Sequence, residues 1–567
     1  MKKLIALLLC LAMFVSLTAC GGGEEEGNGL VANNGEVENT AKVEGLDYPE
    51  GLELTIGLPL SANVDDYDTN AYTLWLEDQT GFDLKFITFQ SNATDYKAQL
   101  STMLATGDEL PDILYNMNVG QGAYEEYGAS GYFIDLAPYY KDPEVGAVFQ
   151  ERMAELEAID PEYAEYVMNY LTADDGGMYA FARIEYSLID TMQYQVYINQ
   201  EWLKAVGMEM PTNKDELYDV LVAFRDKDPN GNGKKDEKPL IGGTDVVKWI
   251  INMFLYQNDA KWFNVDENGQ LYLPHITDEY REALKFIRKL IDEKLMFNNV
   301  FSMGTKDIKS LLNPPEGEAL TVGVVIGHPT LIFEPGNSSV YQYSALPYFG
   351  NAVRKAQLFT PATFITEDCE YPAAAWKLLM TMASKEGSYR QRYGEYGVDY
   401  VDADPGTKSF LGQDAEIKVI NETAFSGQNN CCWHGIQGTV LIQAENEVCQ
   451  LTEDMGKWIN HKMKIMGDCY WNYVDAENNI NVDNKYILPD LVVPEEVSDA
   501  DANERSNVQS LISEAMSSFC CGTGTYNNPS DDGQWAAYIA EVESLGYKTW
   551  MEHRQILFAD QYPDRVK

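Results

Sequence analysis

The stretch Tyr197–Leu240, YINQEWLKAVGMEMPTNKDELYDVLVAFRDKDPNGNGKKDEKPL, decides how this 567-residue chain is read. It predicts a short helix, a second helix and an acidic loop, in that order. The second helix opens on a capping-box-like pattern, with Thr212 as N-cap and Asp215 placed to reach back. Leu217, Val220, Leu221 and Phe224 follow at i, i+3, i+4 and i+7, so one stripe faces a core. In the loop, Asp228, Asn230 and Asn232 set short oxygen-bearing side chains at alternate positions. Gly233 permits a sharp turn, Lys234 can turn its carbonyl inward, and Asp236 and Glu237 complete a cage for Ca²⁺. This is the register of an EF-hand loop, except that Pro239 stands where the terminal glutamate belongs, so the bidentate ligand must be Asp236 or Glu237. The competing reading is a polar Asp-Pro-Asn-Gly turn with no metal. Such a site would be structural, because a fully ligated hard cation leaves no open position for chemistry.

Outward from this stretch the chain reads as α/β. Leu52–Leu58 alternates with a strand's period of two. A helix through Leu74–Leu76, the strand FDLKFITFQ, a helix from Tyr96 to Ala105 and the short strand DILY come next. Strands alternating with helices make a parallel lobe, in which ligands sit beyond the carboxyl ends of the strands. Those ends carry Ser61–Asp68, Gln90–Asn92 and Asn116–Gln121. QYQVYINQ enters a second lobe, and ALTVGVVIGHP is a buried strand there that ends at His328. Asn268-Gly269 marks a hairpin, and Thr277 caps a helix. The extended chain before Pro372 is expected to cross back to the first lobe.

Lys2 and Lys3 precede a mostly apolar run from Leu4 to Leu17 that is too short to span a bilayer, the pattern of a secretory signal peptide. Residues 21–45 are rich in Gly, Glu and Asn and lack periodicity, as in a flexible tether. The formal net charge of −48 is spread along the chain, which argues against nucleic acid and for high solubility. Of nine cysteines, six lie in the last quarter: Cys431, Cys432, Cys449, Cys469, Cys520 and Cys521. In an exported protein, bridges between the Cys431-Cys432 and Cys520-Cys521 regions are plausible, with thiols the alternative. Neither vicinal pair has the spacing of a zinc or redox site.

Several pieces together carry a resemblance: Leu17-Thr18-Ala19-Cys20, LEDQTGFDLKF, MLATGDELPDIL, the opening stretch, WFNVDENGQLYLPHITDEYREALKFIRKLIDEKL and RQRYGEYGVDY. The chain resembles the extracellular solute-binding lipoproteins of ABC importers, in the group with alginate-oligosaccharide-binding and LplA-like proteins. The resemblance implies a type II periplasmic-binding fold, two α/β lobes joined by hinge crossovers with ligand between them. The expected segments are a signal peptide (1–19), a lipidated tether (20–45), lobe 1 (46–165 with 345–395) and lobe 2 (166–344 with 396–567). It implies diacylglycerol on Cys20, an outer membrane-face location and a permease partner. Ca²⁺ is carried onto Asp228, Asn230, Asn232, Lys234, Asp236 and Glu237. The expected function is capture and delivery of a solute, an oligosaccharide above all, by a monomer.

Sugar rings present apolar faces ringed by hydroxyls, so aromatic platforms with a few polar groups are expected in the cleft. The chain has 36 Tyr and 10 Trp. Tyr67, Tyr194, Trp249, Trp262 and Trp433 fall at predicted loop or strand ends. Asn118, Gln121, His328 and His434 are the polar candidates. For each aromatic the alternative is core packing. A secreted glycosidase is the competing class, and an adhesive or sensory surface protein the third. Acidic pairs such as Asp65-Asp66 and Asp531-Asp532 occur, but catalysis needs two carboxylates facing across a substrate. GxSxG, HExxH and P-loop motifs are absent from the sequence, and no catalytic residue is expected.

Overall fold

The computed structural model describes Val43 and residues 45–566, apart from 174, 190–191, 193, 258–261, 298, 335, 352–359, 426–427, 434, 437–439, 443–447, 451, 453–455, 475–487, 490 and 492–494. Its strands are β1 (Glu53–Pro59), β2 (Asp83–Phe89), β3 (Ile113–Leu114), β4 (Phe181–Tyr186), β5 (Val196–Asn199), β6 (Lys238–Ile241), β7 (Asn264–Val265), β8 (Leu271–Tyr272), β9 (Val322–Ile326), β10 (Tyr343–Ala345), β11 (Thr360–Ile365), β12 (Tyr400–Asp402), β13 (Ile417–Val419) and β14 (Val440–Ile442). Two sheets organise them: six strands in the order β14-β4-β11-β3-β1-β2, and four in the order β10-β5-β9-β6. β7–β8 and β12–β13 are separate hairpins.

The directions of the strands fix the architecture. In the first sheet β1, β2 and β3 are parallel, β11 runs against β3 and β4, and β14 is parallel to β4. In the second, β6 and β9 are parallel and β5 runs against both β9 and β10. The chain leaves the first sheet at the end of β4 and enters the second at the start of β5. It leaves the second at the end of β10 and re-enters the first at the start of β11. A third departure follows β14, after which the helix Gly456–Val474 packs on β10. The β4–β5 and β10–β11 crossovers therefore join the same two rims, those that hold the carboxyl ends of the parallel strands, and β14 ends on the first of them. This is the return to the first lobe expected from the extended chain before Pro372.

Each sheet has its own core. Leu54, Ile56, Leu58, Leu114, Ile184, Phe364, Leu379 and Val440 are buried in the first, and Ile198, Leu221, Phe224, Leu240, Ile287 and Val324 in the second. The first core also takes in Val167, Leu171, Phe181–Tyr186 and Trp433, stretches that the expected boundaries place with lobe 2. The last quarter joins the second core through Asp278–Asp292, where Arg281 reaches Pro529 O at 2.7 Å and Asp532 at 2.8 Å. The last two helices there, Asp532–Ser544 and Tyr547–Gln561, are broken at Gly546.

Two local expectations need correction. The helix Lys214–Asp226 is capped by Asn213, whose Oδ1 accepts from Asp215 N at 3.1 Å and Glu216 N at 3.0 Å. Asn is a stronger cap than Thr. The box therefore slides by one residue, and Glu216, not Asp215, reaches back to Thr212 N and Oγ1. No disulfide forms among Cys369, Cys431, Cys432, Cys449, Cys469, Cys520 and Cys521. Cys432 is held beside Trp433 of the first core and Cys520 lies in the second, so the expected bridge between them has no geometry to use.

Candidate functional site

The rims define where a ligand can sit. On the first, β1 runs out into 60–70, β2 into 90–92 and β3 into 115–120. The backbone of Asn116 turns left-handed there (φ 53°), with its N–H donating to Thr363 Oγ1. Asn118 is exposed; its Oδ1 accepts from Gly120 N at 2.9 Å and its carbonyl from Tyr96 Oη at 3.2 Å. Gln121 begins the helix Gln121–Ala129 at the same rim. On the second rim stand Tyr194 and Gln195 before β5, Gly242 and Gly243 after β6, and Gly327 and His328 after β9. The Gly327 N–H donates to Gln195 O at 3.1 Å and ties two of these ends together. His328 is half-buried and caps the helix Pro329–Ile332.

A segment remote in sequence completes the first rim. Asn429 bridges Val64, Asp65 N donates to Asn429 O at 3.0 Å, and Asn430 Nδ2 reaches Thr69 O at 3.0 Å. Gly435 (φ 84°) lies so close that a Cβ there would meet Asn63 Nδ2 at 2.7 Å. Asn63, Asn116, Asn429 and Asn430 were not among the expected site residues. Asn116 lies in a stretch flagged as a strand end; the contacts of Asn429 and Asn430 span more than three hundred residues and leave no local trace.

The expected aromatic platforms fare differently from the amides. Trp433 is fully buried: its Nε1 donates to Thr73 Oγ1 at 3.0 Å, and Tyr67, Tyr72, Phe86 and Tyr115 pack edge-on to it. It anchors the rim from beneath and offers no face to a sugar. Tyr67 is buried beside it, stacked on Phe86 at 5.2 Å, and burial pushes its phenol up to about 12. Trp249 is also a core residue, tilted against Phe349. Tyr194 is buried at its strand end. Trp262 has a left-handed backbone (φ 64°) and is stacked on the buried His275 at 4.9 Å. Cys20 and His434 lie outside the described residues.

The acidic loop is folded as a cage in the second lobe. Asp228 (φ 46°) accepts from Asn232 N at 3.2 Å and Gly233 N at 3.0 Å, Asn230 Oδ1 accepts from Asn232 N, and Asn232 Oδ1 from Lys234 N at 2.7 Å. Gly233 takes the left-handed turn (φ 73°) that the sequence required of it. The Asn230 and Asn232 amides converge on the Asp236 carboxylate at 3.1–3.3 Å. Burial works to raise the Asp236 carboxyl, but these amides and Lys238 hold it below the usual range. Glu237 Oε1 is buried without a hydrogen-bond partner, and burial beside Asp236 and Asp228 raises its carboxyl. An orphaned acceptor next to two carboxylates fits a cation. Among the described residues no three His, Cys, Asp or Glu side chains make a ligand set by themselves, so the cage needs its amide and backbone oxygens.

No family model matches the chain. It is 30% identical over 238 residues to the fructooligosaccharide ABC transporter substrate-binding protein FusA of Streptococcus pneumoniae serotype 4, covering 40% of this chain and 41% of that protein. It is 30% identical over 228 residues to Lipoprotein LipO of Bacillus subtilis strain 168, covering 39% and 40%. The chain thus spans about two fifths of the length of the curated relatives it matches. Solved structures align over far more of it. An HMO-binding, ABC-transporter-associated solute-binding protein from Bifidobacterium longum infantis gives a TM-score of 0.69 at 19% identity, covering 90% of this chain and 99% of that one. An EF-hand mutant of FusA in complex with fructo-nystose gives 0.65 at 20% identity, covering 90% and 99%. The alginate-binding protein AlgQ2 without calcium ion gives 0.57 at 17%, covering 90% and 98%. The chain has the two-lobed α/β fold of ABC-transporter substrate-binding proteins.

Proposed function

We propose that the chain is a binding protein that captures an oligosaccharide between its two rims and delivers it to the permease of an ABC transporter. The observation that carries this reading is the topology: the β4–β5 and β10–β11 crossovers join the rims that hold the strand carboxyl ends, so bending them opens or closes a cleft there. The first rim is rich in amides not fully buried, at Asn63, Asn116, Asn118 and Asn430. An amide donates and accepts at once, which suits a sugar hydroxyl that does the same. Gln121, Tyr194 and His328 belong to the same reading by their place on the rims. Binding without turnover is proposed, with the lipid on Cys20 holding the protein at the outer face of the membrane. The names of FusA and the HMO-binding neighbour favour a saccharide. A thermal-shift screen over fructo-, milk-type and uronate oligosaccharides tests it, because a ligand that binds only the folded form raises Tm. No shift with any of them, and unchanged small-angle scattering, would refute it.

Ca²⁺ in the acidic loop is part of the proposal. Asp228, Asn230, Asn232, Asp236 and Glu237 would hold it with the Lys234 carbonyl, and the two amides would turn to present oxygen. The ion supplies positive charge that compensates three carboxylates in one turn. The chain's own part is to clamp the end of Lys214–Asp226 to the start of β6.

A further inference from the structure

Beside the third crossover lies a cavity of about 320 Å³, lined by Arg152, Glu155, Lys385, Tyr389, Glu416 and Ile442 among others. It sits on the seam between the cores. Phe149, Leu156 and Ile442 belong to the first, while Tyr389, Ile417 and Val448 belong to the second. Arg152, on the helix Ala147–Ile159, is 3% exposed. Its Nη1 pairs with Glu155, its Nη2 donates to Val440 O at 3.3 Å, and its Nε has no partner. An unmet donor on a buried charge is costly and calls for an acceptor.

Glu416 lines the same cavity and is held there by two others of its lining residues, Lys385 Nζ at 2.8 Å and Tyr389 Oη at 3.0 Å. Burial works to raise its carboxyl; Lys385 first, then Tyr389 and the Arg152 charge, bring it below the usual range. Arg152 is thus within electrostatic reach of Glu416 without pairing with it. The two groups are fixed to different things. Arg152 is tied to β14 of the first sheet, whereas Glu416 N donates to Val448 O at 2.8 Å, in the crossover itself.

We propose that Glu416 is the moving member of an ion-pair exchange that registers the lobe arrangement. It rests on Lys385 in the arrangement seen here, and on the open Arg152 Nε when the crossover carries the β12–β13 hairpin toward Ala147–Ile159. The partnerless Nε is the second position of this two-position switch. The inference rests on the closure reading above and adds the residues that bias it.

The test uses the full chain with one distance label on each lobe, attached without cysteine chemistry, measured with and without a saccharide from the screen. Lys385→Gln removes the first partner and should move the ratio of the two interlobe distances roughly fivefold toward the second arrangement. Arg152→Lys removes the open Nε of the second position and should move it the opposite way by a similar factor, whereas Glu416→Gln removes the shared member, so that in its background neither change shifts the ratio further. Lys385 and Glu416 lie near the surface, so their variants fold even if Arg152→Lys does not. Shifts of the same sign for Lys385→Gln and Arg152→Lys, a Lys385→Gln shift that persists in the Glu416→Gln background, or no shift while the wild type shows two distances, would overturn the exchange alone. A wild type with one distance in every saccharide would overturn closure and the exchange with it.

Discussion

The acidic loop of the second lobe and the cap over the first rim use the same chemistry in different ways. In both, short amide and carboxylate side chains accept from backbone N–H groups two to five residues on. Asp228 and Asn230 do so in the loop, and Asn429 accepts from Cys431 N and Cys432 N in the cap. The loop closes on itself within ten residues. The cap is completed by Val64, Thr69 and Thr73, and its central tryptophan is buried among aromatics from β1 to β3. Local order in a sequence thus reports a self-closing turn faithfully and is silent about one that closes on a distant partner.

The most forceful way to break this comparison is Trp433→Ala. A fully buried Trp lost to a cavity should cost about 3–5 kcal/mol and lower Tm markedly. A change in saccharide affinity with Tm preserved would return Trp433 to the ligand surface. For the loop, EDTA should lower the wild-type Tm, by the equivalent of about 2–3 kcal/mol when calcium had stood near a hundredfold above its dissociation constant. Asp236→Asn should abolish that response, and an unchanged EDTA shift would free the loop from any metal role.

A third measurement sharpens the contrast for Trp262, which rests on His275. Burial lowers the His275 imidazole from 6.5 to about 3 in the folded chain. The unfolded chain therefore binds the proton more readily. The stability from the neutral ring is complete above pH 6.5 and is lost as pH falls toward 3, by about 1.4 kcal/mol per pH unit. His275→Phe should flatten this slope in acid melts; an unaltered slope would place the ring in water. The smallest effect is expected of Asn118→Ala. Stability should stay within about 0.5 kcal/mol, while saccharide affinity falls roughly fivefold, the worth of one hydrogen bond of about 1 kcal/mol. Equal affinity would remove Asn118 from the rim's binding set.

The periods of Leu52–Leu58 and of Leu217–Phe224 announced a strand and a helix whose apolar faces are indeed buried, because alternation and the 3.6-residue repeat are properties of the backbone itself. The strand ends at Asn118, Tyr194 and His328 were placed for the same reason. The aromatics were harder. Trp249, Trp262 and Trp433 each stand beside a turn or an end, where a platform and a core anchor have the same local sequence. Only the neighbours tell them apart: Phe349 for Trp249, His275 for Trp262, and Thr73 with four aromatic rings for Trp433.

The sequence by itself determined the two-lobed α/β class, the acidic loop with its donor order and the return of the chain to its first lobe. Each depends on residues near one another along the backbone. Tertiary structure alone decided that Asn429, Asn430 and Gly435 finish the first rim, that Trp433 supports it from below, and that Arg152 and Glu416 line one cavity on the seam of the two cores. Those pairings join residues hundreds of positions apart. They form only after both sheets have set the rims in place, so no local pattern could have announced them.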